Sequence, residues 1–128
     1  MRAPPVLRPG RLLVVDDEPL ILELLREFFG RGGHVVHTAP DGREAESLAR
    51  ENDYDLILMD VRLPGSSGPE TARRIALFRE QVPFVFMTGF GALGEHEAVP
   101  ARTVAVVDKP LDLVGLDLIV RTSLGGAA

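Results

Sequence analysis

Cysteine is absent from this 128-residue chain, lysine occurs once, and no apolar run reaches the length of a membrane span. Without cysteine there are no disulfides and no thiolate metal sites, which fits a reducing compartment and a cytoplasmic location. A spanning helix needs about 20 apolar residues, so no membrane partner is expected. Basic clusters are missing as well. With a formal net charge of −5, a broad nucleic-acid footprint is not expected. Internal repeats and low-complexity tracts are also lacking. What is present is ordinary for one compact domain: 45% hydrophobic and 26% charged residues. Residues 1–10 hold three prolines and two arginines but no signal-peptide core, and read as an irregular N-terminal arm. The expected domain runs from 11 to 123, with a flexible tail at 124–128.

Short apolar runs alternate with amphipathic stretches. Leu12-Leu13-Val14-Val15 stops at Asp16-Asp17, and Pro19 then sits where a helix can start. Leu20, Ile21, Leu24, Leu25 and Phe28 keep helical spacing until Gly30, Gly32 and Gly33. His34 to Thr38 reads as a strand, and Asp41 can cap a second helix carrying Ala45, Leu48 and Ala49. Leu56-Ile57-Leu58-Met59 is a buried strand ending at Asp60. After the loop Leu63 to Gly68 comes a helix with Ala72, Ile75, Ala76 and Phe78. Phe84 to Met87 is a strand ending at Thr88, and Thr103 to Val107 is the fifth. Leu111 to Ser123 can form a last helix, with Gly115 as its weak point. Continuous apolar strands alternating with helices indicate an α/β fold with a parallel sheet covered on both faces. Between Thr88 and Thr103 the glycines and Pro100 leave room only for a short or irregular helix.

In a parallel sheet the residues that follow the strands gather at one carboxyl edge, where open α/β sheets bind ligands. Here those residues are Asp16, Asp17, Asp60, Thr88 and Lys109. The lysine stands out because the other 13 of the 14 basic residues are arginine. Arginine is a planar fork and lysine a compact point charge, so the two do different jobs. Two unit charges at 4 Å repel by about 4 kcal/mol at an effective dielectric near 20. Three clustered carboxylates therefore call for a cation, and hard oxygen ligands suit Mg²⁺. A metal beside a carboxylate, with Thr88 and Lys109 opposite, is built to take a phosphoryl group.

The chain resembles the receiver domains of two-component response regulators. The residues that carry the likeness are Val15-Asp16-Asp17-Glu18-Pro19, Asp55 to Gly65 with Gly68, Met87-Thr88-Gly89 and Asp108-Lys109-Pro110. The likeness covers about 11–123 and implies a doubly wound, five-stranded, flavodoxin-like sheet of order 2-1-3-4-5. It also implies a switch phosphorylated on Asp60 by a histidine kinase or phosphotransfer protein, acting on a further protein target. Asp17, Asp60 and the Arg62 carbonyl would bind Mg²⁺, with Asp16 acting through water. Thr88, Lys109 and the backbone N–H groups of Arg62 and Gly89 would contact the phosphoryl oxygens. Pro110 would follow a cis bond. Such a domain catalyses its own phosphorylation and dephosphorylation rather than turning over an external substrate. Arg62 and Phe90 would flank the path of hydrolytic water, and their bulk implies a long-lived phosphoryl group.

Two departures from the family pattern affect the readout. The aromatic switch residue expected three positions before the lysine is Val106, read here as a core strand residue, and the fourth helix region is interrupted. The stretch from Gly89 to Pro100 is then the expected mover. An alternative is a dinucleotide site on Gly89, Gly91 and Gly94 with Asp108. It leaves too little chain for a crossover helix and sits after the fourth strand instead of the first. An aspartyl-phosphate hydrolase would want an Asp-x-Asp pair after the first strand, which Asp16-Asp17 does not match. A further alternative is a receiver-like docking module that acts regardless of phosphorylation. His34, His37 and His96 lack metal-site spacing and read as ordinary surface or strand residues. Arg73, Arg74 and Arg79 read as a solvated helix face.

Overall fold

Five parallel strands form one sheet in the order β2-β1-β3-β4-β5. In the computed structural model, which describes residues 9–89, 99–100 and 102–125, the strands are β1 (Arg11–Val15), β2 (Val35–Ala39), β3 (Leu56–Asp60), β4 (Phe84–Thr88) and β5 (Thr103–Asp108). The helices among the described residues are α1 (Pro19–Arg31), α2 (Gly42–Glu51), α3 (Gly68–Ala76) and α4 (Leu113–Ser123). This is the expected doubly wound arrangement. None of these helices is long and apolar enough to cross a membrane.

The apolar strand runs follow from the two covered faces. Within β1, Leu13 and Val15 join a cluster with Ala45, Ala49, Ala72 and Ile75 of α2 and α3. Their neighbours Leu12 and Val14 face Leu25, Phe29, Leu116 and Val120 of α1 and α4. Alternate side chains thus enter opposite cores, so neither position tolerates a polar residue. The edge strand β5 is different. Ala105 and Val107 pack on the α1/α4 side, whereas Val104 and Val106 are 49% and 47% exposed. The expectation of Val106 as a core residue is therefore corrected: it pairs with Phe86 but joins neither core cluster, on the face of β5 opposite Ala105 and Val107.

Local chemistry sets the helix ends. Asp41 accepts from the Glu44 amide, Ser67 from Glu70 and Asp112 from Gly115, each the N-cap pattern. The last helix begins at Leu113 rather than Leu111 because Asp112 caps it. A Cβ on Gly115 would lie 2.9 Å from that cap's carboxylate, so this glycine serves the helix start. Helix α1 runs past Gly30 and stops at Gly32. There Gly33, with φ 103°, lets its own N–H reach Gly30 O and the His34 N–H reach Phe29 O.

Other expectations are corrected by contacts. His34 is buried, stacks edge-on with Phe29 and accepts the Gly10 N–H on Nδ1 at 2.9 Å. His37 is a strand residue of β2 as expected, with its Nδ1 2.7 Å from the Tyr54 hydroxyl. Arg79 lies beyond α3, where it donates to the Ala49 and Arg50 carbonyls and pairs with Asp53. Arg74 pairs with Glu46 across the α2/α3 gap. Arg74 and Arg79 thus tie elements together, while Arg73 is exposed on α3 as expected. Most of the N-terminal arm, Phe90, Gly91, Gly94, His96, most of the stretch expected to hold a short helix between β4 and β5, and the end of the tail lie outside the described residues.

Candidate functional site

The carboxyl ends of β1, β3 and β4 and the residue just past β5 meet at one edge of the sheet. Register alone brings them there: Val15 pairs with Met59, Asp60 with Met87, and Thr88 with Asp108. Three backbone bonds extend the ladder past the strands. Asp16 N–H donates to Ala39 O, Val61 N–H to Met87 O, and Lys109 N–H to Thr88 O. Asp16, Asp60, Thr88 and Lys109 therefore stand on paired backbone. The bond from Lys109 to Pro110 is cis, as the resemblance implied.

Asp16 is fully buried. Its Oδ1 accepts the Glu18 N–H at 2.9 Å and its Oδ2 accepts from Lys109 Nζ at 2.8 Å. Asp60 is nearly buried. Its Oδ1 accepts the Arg62 N–H at 3.2 Å and its Oδ2 accepts from Lys109 Nζ, also at 3.2 Å. Asp17 is exposed, yet one carboxylate oxygen from each of Asp16, Asp17 and Asp60 falls within 4.8 Å of the others. Thr88 is buried beside them and donates its hydroxyl to Gly89 O at 3.0 Å. Arg62 is exposed, with its backbone bridged to Ser67.

Burial pushes the Asp16 carboxyl above the usual range. The Lys109 hydrogen bond and the Glu18 amide oppose that shift, and the nearby Asp60 charge adds to it. Burial would lower the Lys109 pKa, but hydrogen bonds to Asp16, Glu18 and Asp60 outweigh it and hold the ammonium above its ordinary value. The two shifts agree physically. One ammonium is shared among several carboxylates, so it gains more than any single carboxylate does.

The donor set fits a hard divalent cation. It is all carboxylate oxygen, it converges, and the lysine ammonium already bridges two of its members. Asp16, Asp17 and Asp60 could hold Mg²⁺. The backbone carbonyl of Arg62, expected as a further ligand, belongs to the residue whose N–H faces Asp60.

Two contributors were not assigned roles from the sequence. Glu18 Oε1 accepts from Lys109 Nζ at 2.9 Å. The available signal was an acidic residue directly after the aspartate pair. Gly68 donates its N–H to Val61 O at 2.7 Å, and a Cβ there would collide with the Asp60 carbonyl oxygen. Only a glycine lets the start of α3 approach the end of β3 this closely.

Known proteins give a consistent picture. The family model described as response regulator receiver domain matches residues 12–121. The chain is 39% identical to the transcriptional regulatory protein TcrA of Mycobacterium tuberculosis over 69% of its own length and 35% of that protein. It thus spans about a third of that relative. It is 30% identical to the polar-differentiation response regulator DivK of Brucella anthropi, over 93% of this chain and 99% of that one. Among solved structures, the response regulator TrrA of Thermotoga maritima in complex with Mg²⁺-BeF superposes with a TM-score of 0.76. Its identity is 31%, over 88% of this chain and 97% of that one.

Proposed function

This chain belongs to the response regulator receiver domain family, and on that premise we propose that it is an Mg²⁺-dependent phosphoacceptor switch phosphorylated on Asp60. The observation that carries the proposal is the position of Lys109 Nζ, within bonding distance of Asp16 and Asp60 in a cluster that also contains Asp17. Phosphohistidine of a kinase or phosphotransfer protein is the donor. A carboxylate oxygen of Asp60 bonds to phosphorus as the phosphorus–nitrogen bond breaks, and the electron pair leaves with the imidazole. Mg²⁺, when bound, neutralises the carboxylates and the phosphoryl oxygens.

The chain's own residues do the rest. Asp60 is aimed by the Arg62 N–H and by Lys109. Lys109 and the backbone N–H groups of Arg62 and Gly89 receive the phosphoryl oxygens. The Thr88 hydroxyl, which donates to Gly89 O, exchanges that acceptor for one of those oxygens and so biases the stretch from Gly89 to Pro100. The chain thereby catalyses its own phosphorylation and dephosphorylation in the cytoplasm and passes the signal to a protein target. Acetyl phosphate with Mg²⁺, followed by mass spectrometry, tests the assignment. A single phosphoryl group on wild type and none on Asp60→Asn is expected. A label elsewhere, or an undiminished label on the variant, overturns it.

A further inference from the structure

Glu18 occupies the N-cap position of α1, yet its side chain makes no capping hydrogen bond. The short side chains of Asp, Asn, Ser or Thr would accept a first-turn amide at that position, whereas the longer glutamate is free to reach elsewhere. Here it reaches to Lys109 instead, 91 residues away in the chain. The lysine ammonium has three N–H donors, and its three acceptors are Asp16 at 2.8 Å, Glu18 at 2.9 Å and Asp60 at 3.2 Å. It is therefore saturated before any phosphoryl group arrives.

The three acceptors differ in how readily they let go. The Asp16 side chain is fully buried and that of Asp60 is 9% exposed, whereas that of Glu18 is 60% exposed. Releasing Asp16 would strand a buried charge. Releasing Glu18 only returns a carboxylate to water. We propose that Glu18 is a positioning residue that holds the place of the phosphoryl group on Lys109 in the resting state and is displaced when Asp60 is phosphorylated. It acts as a built-in competitor and sets the threshold for activation. The inference rests on the phosphoacceptor reading of Asp60 and adds a restraint to it.

The test is a fluoride titration with beryllium at saturating Mg²⁺, followed by amide chemical shifts, in wild type, Glu18→Gln and Glu18→Asp. Glutamine removes the charge. Aspartate keeps it but is shorter and is favoured to cap its own helix. Both variants should lower the half-saturating fluoride concentration by roughly two- to fivefold, the range of a partly exposed ion pair. In metal-free protein both should also speed modification of Lys109 by an amine-reactive reagent. Because Lys109 is the only lysine, peptide mapping reads that rate directly. If wild type binds beryllofluoride but Glu18→Gln needs as much fluoride or more, the competitor role is overturned and the receiver reading stands. Equal Lys109 modification rates in all three proteins overturn the resting contact. If wild type binds no beryllofluoride at all, the phosphoacceptor reading falls and takes this inference with it.

Discussion

Lys109 Nζ lies 2.8 Å from Asp16 Oδ2, joining residues 93 apart in the chain at the carboxyl edge of the sheet. The partner carboxylate is completely buried. Removing one member of a buried pair leaves an uncompensated charge and costs about 3–5 kcal/mol. Lys109→Met should therefore destabilise the metal-free protein by about that amount in urea denaturation, and saturating Mg²⁺ should restore much of it. Lys109→Arg keeps the charge but replaces a point with a fork. It should fold, yet show smaller and more local shift changes with beryllofluoride. Full retention of the wild-type spectral response would make Lys109 a structural cation only.

The site is also self-repelling. Asp16, Glu18 and Asp60 share one ammonium, and the Asp17 carboxylate lies beside Asp16 and Asp60. Asp60→Asn should raise metal-free stability by on the order of 1–2 kcal/mol, since close carboxylates repel while Lys109 offsets part of that repulsion. Mg²⁺ should raise the Tm of wild type more than that of the variant. Calorimetry of both proteins with and without Mg²⁺ decides it. An Asn variant that is less stable than wild type without metal would contradict net repulsion.

Gly68 fixes how closely α3 approaches Asp60. A Cβ at this position meets backbone rather than a flexible side chain, so the chain must shift to accept it. Gly68→Ala should destabilise by about 1–3 kcal/mol, the usual range for overpacking, and should weaken beryllofluoride binding. Gly65 has φ 82° but open space around it. Gly65→Ala should be strained in backbone while leaving the site intact. Comparing the two variants by denaturation and fluoride titration separates packing at the site from backbone conformation. Equal beryllofluoride binding in both would remove the special role of Gly68.

His34 gives the fold a pH dependence remote from the site. Burial lowers its pKa below 6.5, with Arg121 acting in the same direction and Asp117 and Asp55 opposing. Its Nδ1 must be unprotonated to accept the Gly10 N–H. The folded-state pKa is thus below the unfolded value. Its contribution is complete above about pH 6.5 and is lost as pH falls from there through the folded-state pKa. His34→Asn, which supplies a non-titrating acceptor, should flatten stability over that window. Parallel slopes for wild type and variant from pH 7 to 5 would show that His34 does not titrate with folding.

Much of this molecule was legible in one dimension. Fully apolar four-residue runs ending in Asp or Thr require strands buried on both faces, and their helical spacers force parallel pairing. Parallel pairing then sends Asp16, Asp60, Thr88 and Lys109 to one edge, because every strand points the same way. These conclusions rest on periodicity and chain direction, which are local properties of sequence. Tertiary structure decided what depends on reach and packing between distant segments. Val106 reads as core from its neighbours, but its exposure depends on which face of β5 the helices α1 and α4 cover, and they cover that of Ala105 and Val107. His34 looks like an ordinary strand residue until Gly10 is brought against it. Glu18 sits at a helix start in any reading, and only the three-dimensional approach of Lys109 shows that its carboxylate is used across the site instead of on its own helix. A sequence states which charges exist and which way the chain runs. The folded backbone sets the few ångströms that determine which charges share a proton donor.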